Sequence, residues 1–285
     1  MKIVIIIVNY NGEFFLKKYL NYFTNISKNS NIELIISDDQ STDLSIEILK
    51  KSNCNVTINK GNKGFAANLN NGIKYAKSLK DFDYYIIANN DIILSSGFES
   101  KLYEILKYIE NKYNNVGLIG FKEINEFVVS KSTESSYNLS EIFKTNNIPG
   151  FLFVINKSVI NDVGYFDEEY FMYGEDNDYF FRVQKNGYKI INSNFPVYHY
   201  SEGSSSKSTT NSYLAFRNSL LFAQKNLGFL KFLRTLLSLI WIIYKPINFN
   251  RSPSVLRLRR SGFLMNNILL FKSLIWNYKY YLKNR

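Results

Sequence analysis

The sequence has one cysteine, Cys54, and one histidine, His199, in 285 residues. A single thiol excludes an intrachain disulfide and fits a reducing compartment such as a cytoplasm. One residue of each type also excludes a Cys/His cluster with zinc spacing. Neither G-x-G-x-x-G nor G-x-x-x-x-G-K-[ST] occurs, and "GNKG" at 61–64 matches neither; the dinucleotide fingerprint and the P-loop are both missing. Long apolar runs are missing too. "TLLSLIWIIY" at 235–244 falls well short of the roughly 20 residues of a spanning helix. "KIVIIIV" meets Asn9 too soon for a signal peptide. No Asp or Glu follows Glu202, while residues 203–285 hold 14 of the 35 Lys and Arg. The rest carries 21 basic against 24 acidic residues, so the net charge of +11 belongs to the C-terminal third. Such asymmetry points to an anionic partner, a membrane surface or a nucleic acid.

What is present reads as an α/β chain. With 46% apolar residues it can build a core and is not disordered. Residues 2–8 form a continuous β-branched run, which predicts a buried parallel strand. Strands are also predicted at 32–39, 54–59 and 82–91. Helices are predicted at 13–25, at 41–51 with an N-cap near Ser41 or Thr42, and at 64–79 after Gly64. Alternating strands and helices imply a right-handed, mostly parallel sheet. Residues 147–164 read as a turn, a buried strand and a short helix closed by Gly164. Polar clusters follow the strands: Asn9 to Asn11, Asp38 and Asp39, and Asn89, Asn90 and Asp91. In open α/β sheets ligands bind at those carboxyl ends, so the clusters are expected to converge on one crevice.

"YFMYGEDNDYFFR" at 170–182 sets Glu175, Asp176 and Asp178 among aromatic residues. Acids are favoured in the first turn of a helix, and one ending at Gly187 is predicted here. Yet charge is expensive to bury among rings unless it is paired or used. A carboxylate that takes a proton in a partly dry pocket has such a use. The Ser/Thr-rich stretch 200–212, next to His199, is a candidate lid.

Seven stretches then carry a resemblance: "VIIIVNYNG", "ISDDQSTD", "NKGFAANLNNG", "YYIIANNDI", the run from "PGFLFVINKS" through "YFMYGEDNDYFFRVQKNGYKI", "VYHYSEGSSS" and "YLAFRNSLLF". They occupy about residues 3–222 in order. In this pattern the chain resembles inverting family 2 glycosyltransferases of the GT-A fold, and most of all the rhamnosyltransferase-like branch of bacterial polysaccharide biosynthesis. The resemblance implies a Rossmann-like, mostly parallel sheet flanked by helices and a catalytic domain over 1–222. A basic, aromatic-rich helical extension at 223–285 would follow.

The resemblance also implies roles. Asn9, Asn11 and Asp38 match positions that bind the donor's base and ribose; Asn62, Gly64 and Asn68 border the donor. Asp39 and Asp43 share the Asp38 motif, Asp43 reading as a cap. Asn89-Asn90-Asp91 stands where the family carries D-x-D, with Asn89 in place of the first acid, so Asp91, Asn89 and His199 are the expected ligands of a divalent cation, Mg²⁺ or Mn²⁺. Asn90 and Arg217 are expected near the donor phosphates. Glu175-Asp176 matches the family's E-D pair: Asp176 would be the general base, Glu175 would position the acceptor, Asp178 would orient a neighbour, and the aromatic rings would form an acceptor platform. The donor is expected to be a nucleotide-sugar, dTDP-rhamnose first and UDP-sugars second.

The tail completes the expectations. Residues 226–245 place Lys231, Arg234 and Ser238 on one stripe and apolar residues elsewhere, and 255–282 repeat the theme after "RLRR". Such helices fit a bilayer interface, so the chain is expected at the inner, cytoplasmic face of the cell membrane, with a glycan or lipid-linked acceptor; a homodimer is a further partner to be considered. A nucleic-acid surface on this tail, in a non-catalytic or inactive homologue, is the alternative; the aliphatic content argues against it, and no nucleic acid is expected.

Overall fold

A seven-residue run of isoleucine, valine and asparagine has no polar face to offer water, and β1 (Ile3–Asn9) is accordingly buried along its whole length at the centre of a sheet. This computed structural model describes residues 1–29, 32–94, 97–124, 137–200, 209–244 and 263–284. They divide into two compact units. The first comprises Met1–Glu169 and Tyr179–Ser201, the second Tyr170–Asp178 and Glu202–Arg285.

In the first unit β1 is flanked by β2 (Ile32–Asp38) and β4 (Tyr84–Asn89), and β3 (Asn55–Ile58) lies beyond β2, all parallel. The helices α1 (Glu13–Asn29), α2 (Ser45–Lys50) and α3 (Phe65–Leu79) make the crossovers. Antiparallel pairs enter with β8 (Leu152–Asn156), which lies between β4 and β6 (Val116–Ile124). The strand β9 (Lys189–His199) runs parallel to β6, while β5 (Ile92–Ile93) and β7 (Phe143–Thr145) pair antiparallel with β9. The sheet thus has nine strands in a mixed α/β arrangement. Strand alternation splits the core in two. Ile3, Ile5 and Ile7 pack with Leu16 of α1 and Leu102 of α4 (Phe98–Lys112). Val4, Ile6 and Val8 pack with Leu69 of α3, Val159 of α5 (Lys157–Asp162) and Phe180 of α6 (Glu175–Lys185).

Boundaries follow the expected chemistry with one exception. Gly64 (φ 89°) opens α3, Gly164 (φ 85°) follows α5, and Gly187 (φ 84°) follows α6, all in the left-handed region that glycine tolerates. The exception is α2. It begins at Ser45, not Ser41, with Leu44 as an N-cap that makes no side-chain bond. Asp43 does the capping from one residue earlier, accepting from the amides of Ser45 (2.9 Å) and Glu13 (3.0 Å). Burial raises its pKa, but these bonds outweigh that and hold it below the ordinary value.

The second unit contains α7 (Thr209–Phe222), a π-turn at Ala223–Leu227, α8 (Phe229–Tyr244) and α9 (Phe263–Lys283). Phe216, Leu220, Leu239, Ile243, Leu269 and Leu270 form its core. The expected break after 222 falls inside this unit, because α7 is tied to α9: Asn277 Nδ2 donates to the Arg217 carbonyl at 3.0 Å. Most of the lid stretch, 201–208, and the "RLRR" segment lie outside the described residues; 209–212 form the first turn of α7. Among the described residues no helix is long and apolar enough to cross a membrane.

Candidate active site

Strand register brings the polar clusters together. Asn9 pairs with Asp38 across β1 and β2, and Val8 pairs with Asn89 across β1 and β4. Each cluster therefore sits at the carboxyl end of neighbouring strands. Asn9 is fully buried and central. Its Nδ2 donates to Asp38 (2.7 Å) and to Ser41 Oγ (3.3 Å), and its Oδ1 accepts from Asn90 Nδ2 (2.7 Å). Asp38, also fully buried, accepts in addition from the Ser41 amide and hydroxyl at 2.8 and 2.7 Å. Asn11, in the left-handed region at φ 49°, accepts from the Thr42 amide at 2.7 Å.

Buried carboxylates are tolerable only when hydrogen-bonded, and Asp39 follows that rule. It accepts from Asn59 Nδ2 (2.7 Å) and from the amides of Lys63 (3.0 Å) and Gly64 (2.8 Å), which folds the 61–64 loop over the sheet end. Asn62 lies on this loop, exposed, its Oδ1 accepting from Gly64 N at 3.1 Å. Asn68 is a clamp from α3: Nδ2 donates to the carbonyls of Asn9 (3.1 Å) and Ser37 (2.9 Å), and Oδ1 accepts from Ser37 Oγ (2.7 Å). Gly12, which the sequence reading passed over, is forced by this crowding. A Cβ there would overlap Asn9 Oδ1 and Asn90 Nδ2. Its only signal is a glycine directly after Asn9-Tyr10-Asn11.

The acidic end of the site is a line of three side chains. Asp91, 3% exposed, has Oδ1 3.1 Å from His199 Nε2. The other ring nitrogen, Nδ1, lies 2.6 Å from Glu123 Oε1 at the end of β6. Phe151 stacks on the imidazole at 5.0 Å. Burial would lower the His199 pKa, but the hydrogen bonds to Asp91 and Glu123 outweigh it and push it up to about 9. His199 in turn holds the Glu123 carboxyl below its ordinary value, against the opposing effect of burial. Glu123 had no local signal in the sequence; only the β6–β9 pairing brings it here. Asn89, half-buried, has a buried Oδ1 without a partner. Among the described residues no three His, Cys, Asp or Glu side chains make a metal cage. A cation here would rest on Asp91, His199 and neutral oxygens. That set is chemically suitable: a 3.1 Å spacing is close to the ~3 Å between adjacent ligands of an octahedral ion bound at ~2.1 Å, and Asn89 offers an unused carbonyl oxygen.

The remaining expected residues lie in the second unit. Glu175 and Asp176 begin α6, after Tyr173 (φ 71°) and Gly174 (φ 93°). Asn218 Nδ2 holds that turn by donating to the carbonyls of Met172 (2.9 Å) and Tyr173 (2.5 Å). Glu175 is buried, and Asp176, half-buried, accepts from the Asn177 amide at 2.7 Å. Asp178, 1% exposed, accepts from Asn226 Nδ2 at 2.8 Å. Arg217 is buried, its guanidinium 4.5 Å from the Trp276 ring centroid and its Nε donating to Asn218. The aromatic platform needs correction. Tyr170 is fully buried in this unit. Tyr179 stacks on Phe166 and Phe180 meets Phe153 edge-on in the core of the first. Of the rings expected to serve the acceptor, Phe171 is the one left exposed.

A half-parallel sheet with polar loops at the carboxyl ends of β1, β2 and β4 and an acid after β4 is the GT-A arrangement, and this chain is a glycosyltransferase. It belongs to glycosyl transferase family 2, whose pattern matches residues 4–164. The mannosyltransferase PcManGT from Pyrobaculum calidifontis, solved with GDP-Man and Mn²⁺, is similar at a TM-score of 0.58 and 12% identity, over 97% of this chain and 86% of that one. S. aureus TarS 1–349 is similar at 0.55 and 17% identity, over 100% and 92%. Its complex with UDP-GlcNAc gives 0.54 and 16%, over 96% and 89%. At these identities the likeness is one of fold. No curated protein matches the chain.

Proposed function

We propose that the protein moves a sugar, with inversion, from a nucleotide-sugar donor to a hydroxyl of a growing, lipid-linked surface glycan at the inner face of the cell membrane. The observation that carries this reading is the convergence of Asn9, Asp38 and Asn90 in one hydrogen-bonded network at the sheet's carboxyl end, directly before Asp91. In this reading that network and the loop of Asn62 and Gly64 receive the nucleotide. Asp38 serves it by fixing Asn9 and Ser41, since both its oxygens are already engaged. Asp91 and His199, with the Asn89 side-chain carbonyl, would hold Mg²⁺ or Mn²⁺. When bound, that ion stabilises the negative charge that develops on the departing diphosphate.

Asp176 accepts the proton of the acceptor hydroxyl as its oxygen bonds to the anomeric carbon. The bond from that carbon to the diphosphate breaks, and the nucleoside diphosphate leaves with the electron pair. Glu175 positions the acceptor, and Arg217 supports the donor phosphates. A neighbour solved with GDP-Man and Mn²⁺ supports the donor class and the cation. The rhamnosyltransferase-like motifs favour dTDP-rhamnose over UDP-sugars.

The test is nucleoside diphosphate release from a panel of dTDP- and UDP-sugars with Mn²⁺ or Mg²⁺ and a lipid-linked acceptor. Release from one donor, abolished by EDTA and reduced by roughly 10²–10⁴ in Asp176→Asn, is the expected result. Unchanged turnover in Asp176→Asn would remove the base assignment, and failure of every donor to bind by calorimetry would overturn the reading.

A further inference from the structure

The helix α9 turns polar side chains inward and apolar ones to water. The inward face of α9 carries Asn266, Ser273 and Asn277, all buried. Ser273 Oγ donates to the Leu269 carbonyl (2.7 Å), and Asn277 Nδ2 to the carbonyls of Arg217 (3.0 Å) and Ser273 (2.9 Å). Its outward face carries Leu264, Ile268, Phe271, Ile275 and Tyr278, with Leu264 73% exposed. At 3.6 residues per turn these fall within an arc of about 80°, and Lys272 and Lys279 lie along one edge of it. The helix α8 is apolar on both faces: Leu239 and Ile243 are buried in the unit's core. Phe229, Leu230, Leu237, Trp241 and Tyr244 all point out, Leu230 at 74% exposure. Arg234, Ser238 and Lys231 border that arc on one side. The two faces adjoin where Tyr244 of α8 meets Phe263 of α9 edge-on at 5.0 Å.

Scattered surface hydrophobics need no explanation, but a contiguous apolar face with polar residues turned inward does. We infer that the outward faces of α8 and α9 form one docking surface for an anionic lipid bilayer, lying in the interface plane with the basic edges at the headgroups. This deepens the membrane part of the function proposed above and rests on it. Charge selects the occupant. The edges are basic, and residues 203–285 contain no Asp or Glu. A second copy of the chain would bring like-charged edges together with no acid on this surface to pair them, whereas anionic headgroups complement them. Over its described residues neither helix is long and apolar enough to cross a bilayer, and a one-sided apolar face of this kind fits interfacial helices.

The experiment is co-sedimentation of the full chain with vesicles of phosphatidylcholine, with and without phosphatidylglycerol. Light scattering and donor binding by calorimetry are measured on the same preparation. The expected result is binding to the anionic vesicles that weakens as salt is raised. Trp241 emission should shift to the blue on binding, a shift lost in Trp241→Phe while sedimentation is kept. Leu237→Glu and Phe271→Glu, both at exposed positions, should each weaken partitioning on the order of tenfold or more. If the chain ignores vesicles and instead forms dimers that these substitutions dissociate, the face is a contact between copies and the inference falls. It falls equally if the chain neither binds vesicles nor self-associates. Donor binding that persists in either case leaves sugar transfer standing; donor binding that fails while vesicles are bound overturns that reading alone.

Discussion

Glu123 Oε1 lies 2.6 Å from His199 Nδ1, and so fixes which ring nitrogen faces Asp91. Carboxylates that hold a metal-ligating histidine from behind typically matter by 10–100-fold in affinity. Glu123→Gln is expected to weaken Mn²⁺ binding by about that factor in calorimetry, with nucleotide binding in the absence of metal unchanged. Equal Mn²⁺ affinity in the variant would make the pair merely structural.

The same triad predicts how metal-free stability follows pH. The folded-state pKa of His199 is raised from 6.5 to about 9. The folded state therefore holds this proton more tightly than the unfolded chain does. Its contribution, on the order of 3 kcal/mol, is complete below pH 6.5 and is lost as pH rises through 9. Thermal melts in EDTA should show a decline across that window that is absent in His199→Ala. Cation and proton compete for Nε2, so Mn²⁺ should bind more tightly as pH rises over the same range.

Gly12→Ala is expected to weaken donor binding and to lower stability by about 1–3 kcal/mol, the usual range for overpacking. The added carbon would displace Asn9 and Asn90 together. Denaturant melts and donor calorimetry on the one variant check both effects; an unperturbed donor affinity would show that this network does not shape the donor site.

Asn218→Ala removes the bonds to the Met172 and Tyr173 carbonyls just before the first turn of α6. Loosening the turn that carries Asp176 should lower kcat by roughly ten- to a hundredfold through misplacement, with KM for the donor little changed. A rise in donor KM at constant kcat would contradict the assignment of this turn to the acceptor side.

The first half of the fold was legible because its signals are local. The β-branched run of β1, the glycine before α3 and the acids after β2 each report on their own neighbourhood. The antiparallel insertion of β8 between β4 and β6 was not legible, since the composition of Leu152–Asn156 says buried strand but not which neighbours it takes. The site divides the same way. Asn9, Asp38, Asn90, Asp91 and His199 were read from motif positions. Glu123, Asn59 and Asn226 have no motif, and pairing between distant segments alone brings them to their partners. The aromatic residues around Asp176 misled for a related reason: a ring in a sequence does not reveal which core it fills.

The two-residue strand β5 pairs with β9 alone, through Ile92 and Ile93 against His199 and Tyr198. This sets an order of assembly. The network of Asn9, Asp38 and Asn90 can close once the first 90 residues are made, but Asp91 waits for a partner 108 positions downstream. Contacts of such separation form late and slowly. A chain interrupted before β9 would hold the Asn9 network complete and its histidine missing, so the end proposed to bind the cation is the last part of the first unit to mature.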